Sequence, residues 1–430
     1  MPRAAREVQA AEDDRVPGFA PARPERQAVQ AAAARPVLGG QGARDLRRSL
    51  AAAGAVLAVV GIAWGAIAVN GERYFNRVED VPLPEVSAAA LALHEASFVA
   101  DLHADSLLFG RDLASRSAIG HVDLPRLHQG NVALQVFAVA TSAPAGMNVD
   151  SNPRDAFDLL RIAYCVRPSR GCLGGMFARV ETLAGRLARL VERDPDLVWV
   201  RSASDLEALR ARRAADPRAL GAILSIEGAQ ALEDDPENLE RAFALGVRMI
   251  GLAHFTDNDY AGSAHGAEKG GLSELGRRTL ARMEELGIAV DVAHVAPAAI
   301  DDVLAIAHQP VVISHGGLKG TCDNARTTSD AHARAIAETG GVIGIGYWRE
   351  AVCGTAPSDI ARAIRYAVDL VGDEHVALGS DYDGAIAVGF DTSHLAVLTQ
   401  AMLDAGIPRE SIAKILGGNA LRVLAATLPR

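Results

Sequence analysis

The sequence has 430 residues, of which 49% are hydrophobic, and this is enough for one large domain or two of ordinary size. The formal net charge of -10 provides no basic field for phosphate backbones, which excludes nucleic acid as a partner. Lys269, Lys319 and Lys414 are its only lysines, beside a large excess of arginine, a composition typical of GC-rich bacterial genomes.

The amino-terminal part of the chain differs in composition from the rest. Residues 1–48 are rich in Ala, Arg, Pro and Gln without apolar periodicity, which predicts a disordered cytoplasmic tail. Residues 50–69, LAAAGAVLAVVGIAWGAIAV, carry no charge and are long enough to cross a lipid bilayer as a helix. We therefore expect a transmembrane anchor over residues 49–70, with a buried Ala-rich helix as the alternative.

Basic residues flank one end of this apolar segment. Arg44, Arg47 and Arg48 lie just before it, so the positive-inside rule keeps the tail in the cytoplasm. The expected arrangement is a single-pass protein of the bacterial inner membrane, with the bulk of the chain in the periplasm. A signal peptide cleaved near Ala68 would instead release the protein by secretion.

The cysteine count is even, which suits an oxidising compartment outside the cytoplasm. Cys165 and Cys172 bracket a short loop, and Cys322 and Cys353 form the other pair considered. Four cysteines permit three connectivities, and the residues themselves leave the pairing open.

Eight short apolar runs, each followed by a helical segment, recur from residue 97 onward. Near-continuous apolar strands that alternate with amphipathic helices are typical of a parallel sheet covered by helices. We predict an α/β fold, a (β/α)8 TIM barrel over residues 97–430, with a linker and an N-terminal helix over residues 71–96. A doubly wound open sheet is the alternative, and the long connection 140–221 predicts a lid or insertion. The predicted strands cover residues 98–103, 132–139, 222–228, 247–254, 288–294, 311–315, 341–348 and 375–381.

Polar side chains stand where these predicted strands end. In the first strand, VADLHADSL places three polar residues at alternate positions and therefore on one face. In a parallel barrel all the carboxyl ends of the strands ring the face where active sites lie. The residues at these ends are Asp101, His103, Asp105, Glu227, His254, His294, His315 and Asp381.

Imidazoles and carboxylates in this number favour a metal site. Glu227 follows the apolar run AILSI, so its charge should be buried, and an unpaired buried charge would cost several kcal/mol. Both ligand types suit Zn²⁺, and the set exceeds what one tetrahedral site can hold. We expect two Zn²⁺ about 3.5–4 Å apart, bridged by Glu227 and a water.

Seven ordered motifs, DLHADSL, SIEG, LAHF, DVAHV, VISHGG, CDNAR and GSDYDG, resemble those of the membrane dipeptidase (renal dipeptidase) family of binuclear zinc peptidases. The resemblance covers about residues 92–425. It implies a zinc dipeptidase that cleaves dipeptides, including those with a C-terminal D-residue, with a metal-bridging hydroxide. Some members open β-lactam rings, and members often dimerise, so a homodimer is also expected.

The resemblance assigns the metal ligands by position in this sequence. His103 and Asp105 would bind one zinc, His294 and His315 the other, and Glu227 would bridge them.

It also assigns roles in the reaction. His254 would polarise the scissile carbonyl, Arg326 would bind the free carboxylate of the substrate, and Asp381 would transfer protons. Asp101 matches a carboxylate that precedes the ligand pair, and our own expectation is that it orients His103.

Two further expectations concern loops. The resemblance pairs Cys322 with Cys353, whereas it offers no counterpart for Cys165 and Cys172. The loop of residues 257–260 is expected to form part of the substrate pocket, with Tyr260 in contact with the substrate.

Two other functions compete with this interpretation. General amidohydrolases that act on amide bonds typically open with His-x-His and use a carbamylated lysine as the metal bridge. Here the pair is His-x-Asp, and no lysine ends a predicted strand. An inactive membrane-anchored binding protein of the same fold should lack a ligand, and none is missing.

Overall fold

The computed structural model describes residues 44–45, 48–52, 54–55, 71–166 and 170–430. It divides into a unit over Met1–Val59, described only as short helical stretches, and a unit over Val60–Arg430. The predicted tail and anchor lie mostly outside the described residues. Across the described ranges, no helix is long and apolar enough to cross a membrane.

A closed parallel barrel forms the centre of the second unit. The strands are β1 Val99–Ala104, β2 Val132–Ala140, β3 Leu197–Trp199, β4 Leu220–Glu227, β5 Val247–Gly251, β6 Ala289–Asp291, β7 Val312–Gly316, β8 Val342–Ile345 and β9 Val376–Leu378. Eight of them follow the order β2-β1-β9-β8-β7-β6-β5-β4, and the pairing of β2 with β4 closes the ring. The (β/α)8 prediction is confirmed, and the open-sheet alternative is wrong because this closing pair leaves no edge.

Strand β3 lies outside the ring and was not predicted. It pairs in parallel with the first residues of β4, from Leu197 beside Leu220 to Trp199 beside Ala222. It belongs to the long connection between β2 and β4, which also carries four helices. The predicted insertion between these two strands is therefore present.

Helices surround the barrel, and many begin at a side-chain cap. Serine or aspartate accepts a backbone N–H at the start of six described helices, which satisfies a donor that has no partner within the helix. The α-helices are Ala88–Ala96, Leu124–Gln129, Leu159–Val166, Arg170–Leu173, Met176–Arg193, Ala203–Ala215, Pro236–Ala244, Glu274–Leu286, Pro297–Ile306, Asp330–Glu338, Arg349–Val352, Pro357–Val371, Ala396–Asp404, Arg409–Ala413 and Asn419–Thr427. Short 3-10 helices cover Ala229–Leu232, Asp373–His375 and Thr392–His394, and a π-helical turn covers Lys414–Gly418.

An apolar cluster occupies the amino-terminal side of the strands. It takes residues from all eight barrel strands, several of them the first in their strand, such as Ala289, Val312 and Val342. Ala420 and Val423 of the last helix belong to the same cluster. Packing therefore stabilises the end of the barrel opposite the carboxyl ends, where the polar residues gather.

Candidate metal centre

Each predicted ligand lies on a strand or just after one. His103 lies in β1, Asp105 directly follows it, Glu227 ends β4, and His315 lies in β7. Gly228, with φ of 96°, allows the chain to turn sharply straight after Glu227.

The strands carrying the other three polar residues are shorter than predicted. His254, His294 and Asp381 each come three residues after their strand, because β5, β6 and β9 end at residues 251, 291 and 378. His294 and Asp381 adopt φ of 64° and 60°, a backbone conformation that costs non-glycine residues free energy. These side chains thus reach the rim from loop turns rather than from strands.

The Glu227 carboxylate lies among three imidazoles. Its Oε1 is 3.0 Å from His294 Nε2, 3.4 Å from His315 Nε2 and 3.7 Å from His103 Nε2. His103 Nε2 is also 3.5 Å from Asp105 Oδ2. Residues from four strands, far apart in the sequence, therefore converge around one carboxylate.

The distances do not by themselves divide these side chains into two ligand sets. Ligand atoms lie within 4.8 Å of one another in three overlapping groups. The groups are His103 with Asp105 and Glu227; Glu227 with His254 and His294; and His103 with His315 and Asp381. The second and third groups cut across the expected assignment, in which His254 and Asp381 are not ligands.

Several atoms at this centre are buried without a hydrogen-bond partner. Among the described residues, these include His103 Nε2 and Asp105 Oδ1. Nε2 of His294 faces Nε2 of His315 at 3.0 Å, so two nitrogens point at the same space. Buried polar atoms are normally satisfied, and a bound cation satisfies such donor atoms. The residues present therefore fit a metal site.

The local charge supports the same conclusion. Burial lowers the pKa of His103, but Glu227, Asp105 and Asp381 outweigh it and raise that pKa to about 10. Burial, together with neighbouring cationic groups, holds the pKa of His294 well below its usual value, which keeps this imidazole neutral. A divalent cation would balance the surplus of carboxylates and needs neutral imidazoles as ligands.

The hydroxyl group of Ser314, in β7, lies beside two of the imidazoles. Ser314 Oγ lies 2.8 Å from His315 Nδ1 and 3.5 Å from His103 Nδ1. Asp291 in turn accepts hydrogen bonds from Ser314 Oγ and from the Ser314 backbone N–H, at 2.5 and 2.9 Å. Our sequence reasoning missed Asp291 and Ser314, although Asp291 is a carboxylate at the end of a strand and could have been noticed.

Among the described contacts, the Asp101 carboxylate bonds to the backbone of His103 and not to its ring, and the expectation that Asp101 orients His103 stays a prediction. Its carboxylate accepts hydrogen bonds from the Ser380 backbone N–H at 2.8 Å, the Ser380 hydroxyl at 2.5 Å and the His103 backbone N–H at 3.4 Å. Asp101 therefore joins β1 to the loop that carries Asp381, while Ser314 lies beside the imidazole.

His254 stands beside the Glu227 carboxylate. Its Nδ1 donates to the Ser142 carbonyl at 2.9 Å, so the opposite nitrogen, Nε2, faces Glu227 Oε2 at 3.2 Å. This arrangement fixes the ring and aims Nε2 into the cavity above the centre.

That cavity has a volume of about 250 Å³, small beside the roughly 300–1,000 Å³ of sites for drug-sized ligands. Asp381 and Arg326 line it together with the metal-centre residues, and Leu160, Phe255 and Trp348 provide apolar walls. Such a cavity suits a small ligand that carries both a charge and apolar groups.

Arg326 is a buried cation at this cavity. One Nη donates to the His315 carbonyl at 3.0 Å, and the guanidinium carbon lies 5.2 Å from the Trp348 ring centre. A disulfide between Cys322 and Cys353 joins the two segments that carry these side chains, which confirms the expected pairing. Cys165 and Cys172, whose pairing the sequence did not decide, also form a disulfide.

The structure does not place Tyr260 at the lining of this cavity. Its side chain is 1% exposed and packs in the apolar core, away from the lining of the 250 Å³ cavity. The rest of its loop, residues 257–259, lines a separate cavity of about 660 Å³. Asp257 folds this loop on itself, because it accepts backbone N–H groups of Ser263 and Glu268 at 2.8 Å each.

Known proteins resemble this chain in sequence and in fold. The dipeptidase verJ of Clonostachys rogersoniana is 29% identical over 313 residues, which covers 71% of this chain and 76% of the relative. The probable dipeptidase PvdM from Pseudomonas aeruginosa has the same fold, with a TM-score of 0.67 and 22% identity, covering 79% of this chain and 98% of that one.

A second solved structure, a metallopeptidase from Rhodobacter sphaeroides, holds a phosphinate mimic of the dipeptide L-Ala-D-Ala. Its TM-score is 0.64 at 24% identity, with 77% of this chain and 99% of that chain covered. The family model of the membrane dipeptidases, peptidase family M19, matches residues 87–428. The chain therefore belongs to the membrane dipeptidase family, peptidase family M19.

Proposed function

We propose that this protein is a zinc-dependent dipeptidase. The observation that carries the proposal is the position of Glu227 Oε1, within 3.7 Å of the imidazole nitrogens of His103, His294 and His315. Asp105, 3.5 Å from His103, adds a second carboxylate, and three imidazoles with two carboxylates exceed the four ligands of one tetrahedral Zn²⁺. His103 and Asp105 would hold one ion, His294 and His315 the other, and Glu227 would bridge them.

Zinc held by these residues would make hydroxide available near neutral pH and would polarise the peptide carbonyl. His254 is fixed by donation of its Nδ1–H to the Ser142 carbonyl, so Nε2 can donate to the carbonyl oxygen only when it also carries a proton, and that bond would strengthen as negative charge develops on the oxygen. Asp381, whose carboxylate lines the cavity, accepts the proton of the attacking water and passes it to the leaving amine.

Arg326 selects the substrate. It is a buried cation at the cavity wall, and a planar guanidinium binds a carboxylate through two parallel N–H···O bonds. A free carboxylate close to the scissile bond is a property of dipeptides, and the small cavity limits substrate length. The L-Ala-D-Ala mimic bound by the Rhodobacter sphaeroides relative favours acceptance of a C-terminal D-residue.

The direct test is hydrolysis by the full-length chain of a panel of dipeptides with L- or D-residues at the carboxyl end. We expect cleavage of both kinds, loss with a chelator, and recovery on addition of Zn²⁺. Cleavage of a β-lactam or another amide, but of no dipeptide, would favour the amidohydrolase alternative. Bound zinc without any cleavage would favour a binding protein.

We also propose that residues 49–70 anchor the protein in the bacterial inner membrane, with the barrel in the periplasm. The uncharged run 50–69 and the three arginines before it support this proposal. Expressed in bacteria, the chain should sediment with membranes and keep its amino terminus, and protease added to spheroplasts should digest the barrel. A soluble product that begins near residue 69 would favour secretion after cleavage. The dimer implied by the resemblance stays a prediction, which light scattering tests.

A further inference from the structure

The segment before the first barrel helix carries two buried polar side chains. We call residues 71–80, GERYFNRVED, the N-terminal arm; it was predicted only as a linker. Most of its side chains are exposed, but Glu72 is 5% exposed and Asn76 is 3% exposed. The Asn76 N–H bonds to the Glu72 carbonyl at 2.8 Å, so one helical turn places both side chains on one face.

That face contacts the loop that carries Asp381. We call residues 380–388 the Asp381 loop. Asn76 Oδ1 accepts the Ala385 backbone N–H at 2.9 Å. Further along the arm, Arg77 and Glu79 exchange backbone hydrogen bonds with Val388, at 3.1 and 2.7 Å. The arm therefore holds the loop at two points.

A third connection runs through a buried cation. The guanidinium of Arg111 binds the carboxylates of both Glu72 and Asp383, and all three side chains are at most 6% exposed. Asp383 also accepts the His121 backbone N–H at 2.6 Å and the Ser106 hydroxyl at 2.5 Å. Because an unpaired charge in such a buried place is strongly destabilising, these groups hold one another in position.

The Asp381 loop needs support from outside. Asp381, Asp383 and Ala385 adopt φ of 60°, 64° and 60°, and such conformations persist only where the surroundings over-determine them. Arg111 bonds to the second of these strained residues, Asp383, and Asn76 bonds to the third, Ala385. The same loop lines the 250 Å³ cavity through Asp381, Gly384 and Ile386.

We propose that Glu72 and Asn76 are positioning residues for the Asp381 carboxylate, so that the N-terminal arm is part of the catalytic apparatus and not a spacer. The proposal rests on the proposed dipeptidase function, in which Asp381 transfers the proton. It predicts that weakening the arm misplaces Asp381 while Glu227, His294, His315 and Arg326, which lie on other elements, stay in place.

The test compares variants of the full-length chain. Asn76→Leu removes the acceptor and keeps the branched shape of the side chain, Asn76→Asp retains an acceptor oxygen, and Arg73→Gln is the control on the exposed side of the same arm. We expect Asn76→Leu to lower kcat for a dipeptide about 10- to 100-fold, with KM and zinc content unchanged. Asn76→Asp should recover most of this loss, Glu72→Gln should lower kcat in the same direction, and Arg73→Gln should resemble the wild type.

Amide hydrogen exchange over residues 380–388 gives a readout that does not depend on activity. We expect faster exchange in Asn76→Leu than in the wild type and in Arg73→Gln. Unchanged kcat and exchange in a folded Asn76→Leu protein would overturn the proposal. The proposal would also be overturned if kcat of Asn76→Leu fell only in proportion to a loss of bound zinc or to a lower Tm. If the wild type cleaves no dipeptide, the dipeptidase function fails, and the exchange rates alone decide whether the arm holds the loop.

Discussion

Replacing Arg326 with glutamine tests how the substrate is chosen. The side chain is 6% exposed, so water screens its charge little, and one of its five N–H donors is used on the His315 carbonyl. This leaves enough donors for a bidentate bond to a substrate carboxylate. Burial lowers the pKa of Arg326 from its usual value, and Asp381, Glu227 and Asp291 oppose that shift, so the guanidinium remains charged.

Hydrogen bonds to a charged group contribute about 1.5–3 kcal/mol. Loss of this contact should therefore lower kcat/KM for a dipeptide by about 10- to 150-fold. The informative comparison is between a dipeptide and the same dipeptide with its carboxyl end converted to an amide. The wild type should prefer the free carboxylate by about this factor, and Arg326→Gln should lose the preference.

The control is Arg349→Gln, which removes an arginine whose side chain is 66% exposed outside the cavity. It should keep the preference for the free carboxylate. If Arg326→Gln lowers kcat/KM equally for the dipeptide and its amide, Arg326 has a structural role and the assignment of the carboxylate site is wrong.

Three other outcomes follow from the structure. Asp381→Asn should keep its zinc, measured by mass spectrometry, but lose at least about 100-fold in kcat, since a general acid-base group contributes this much. Arg126→Met should lower the free energy of unfolding in urea by about 3–5 kcal/mol, because it removes the arginine that pairs with the buried carboxylates of Asp123 and Asp391. One of them is Asp391: burial raises its pKa, but hydrogen bonds and Arg126 outweigh this and lower it. The stabilisation of the folded state by ionised Asp391 is therefore present above the unfolded pKa of about 3.8, and it is lost as pH falls toward the lower pKa of the folded state. Arg126→Met should make this pH-dependent loss of stability smaller. Replacing both Cys322 and Cys353 with serine should cost about 2–4 kcal/mol of stability and raise KM while zinc is retained, because Arg326 follows the first of these cysteines closely.

The barrel could be predicted because its strands are nearly continuous apolar runs that must be buried on both faces. The ends of the strands were harder to place. In LAHF and DVAHV the apolar residues continue beyond the end of the strand and into the following loop. His254 and His294 were therefore predicted as strand residues, although they lie in turns. Strand β3 was missed because three residues, LVW, give too short a pattern.

The ligands of the candidate centre could be predicted because each is a chemically distinctive residue at a strand end. The residues that support them could not. Ser314 and Ser380 act through hydrogen bonds that only three-dimensional proximity reveals. Tyr260 looked like a pocket residue because its neighbours are polar, but its ring turns into the core. Glu72 pairs with Arg111, which is 39 positions away in the sequence. A local sequence pattern does not show that two such distant charges are in contact.

We propose that Glu227 joins two zinc ions at the rim of the barrel. Zinc measured per purified full-length chain, in the wild type and in Glu227→Gln, tests it most directly. We predict two zinc ions per wild-type chain, and in the variant a loss of zinc together with dipeptidase activity. Two fully retained zinc ions in Glu227→Gln would contradict the bridging role of this carboxylate.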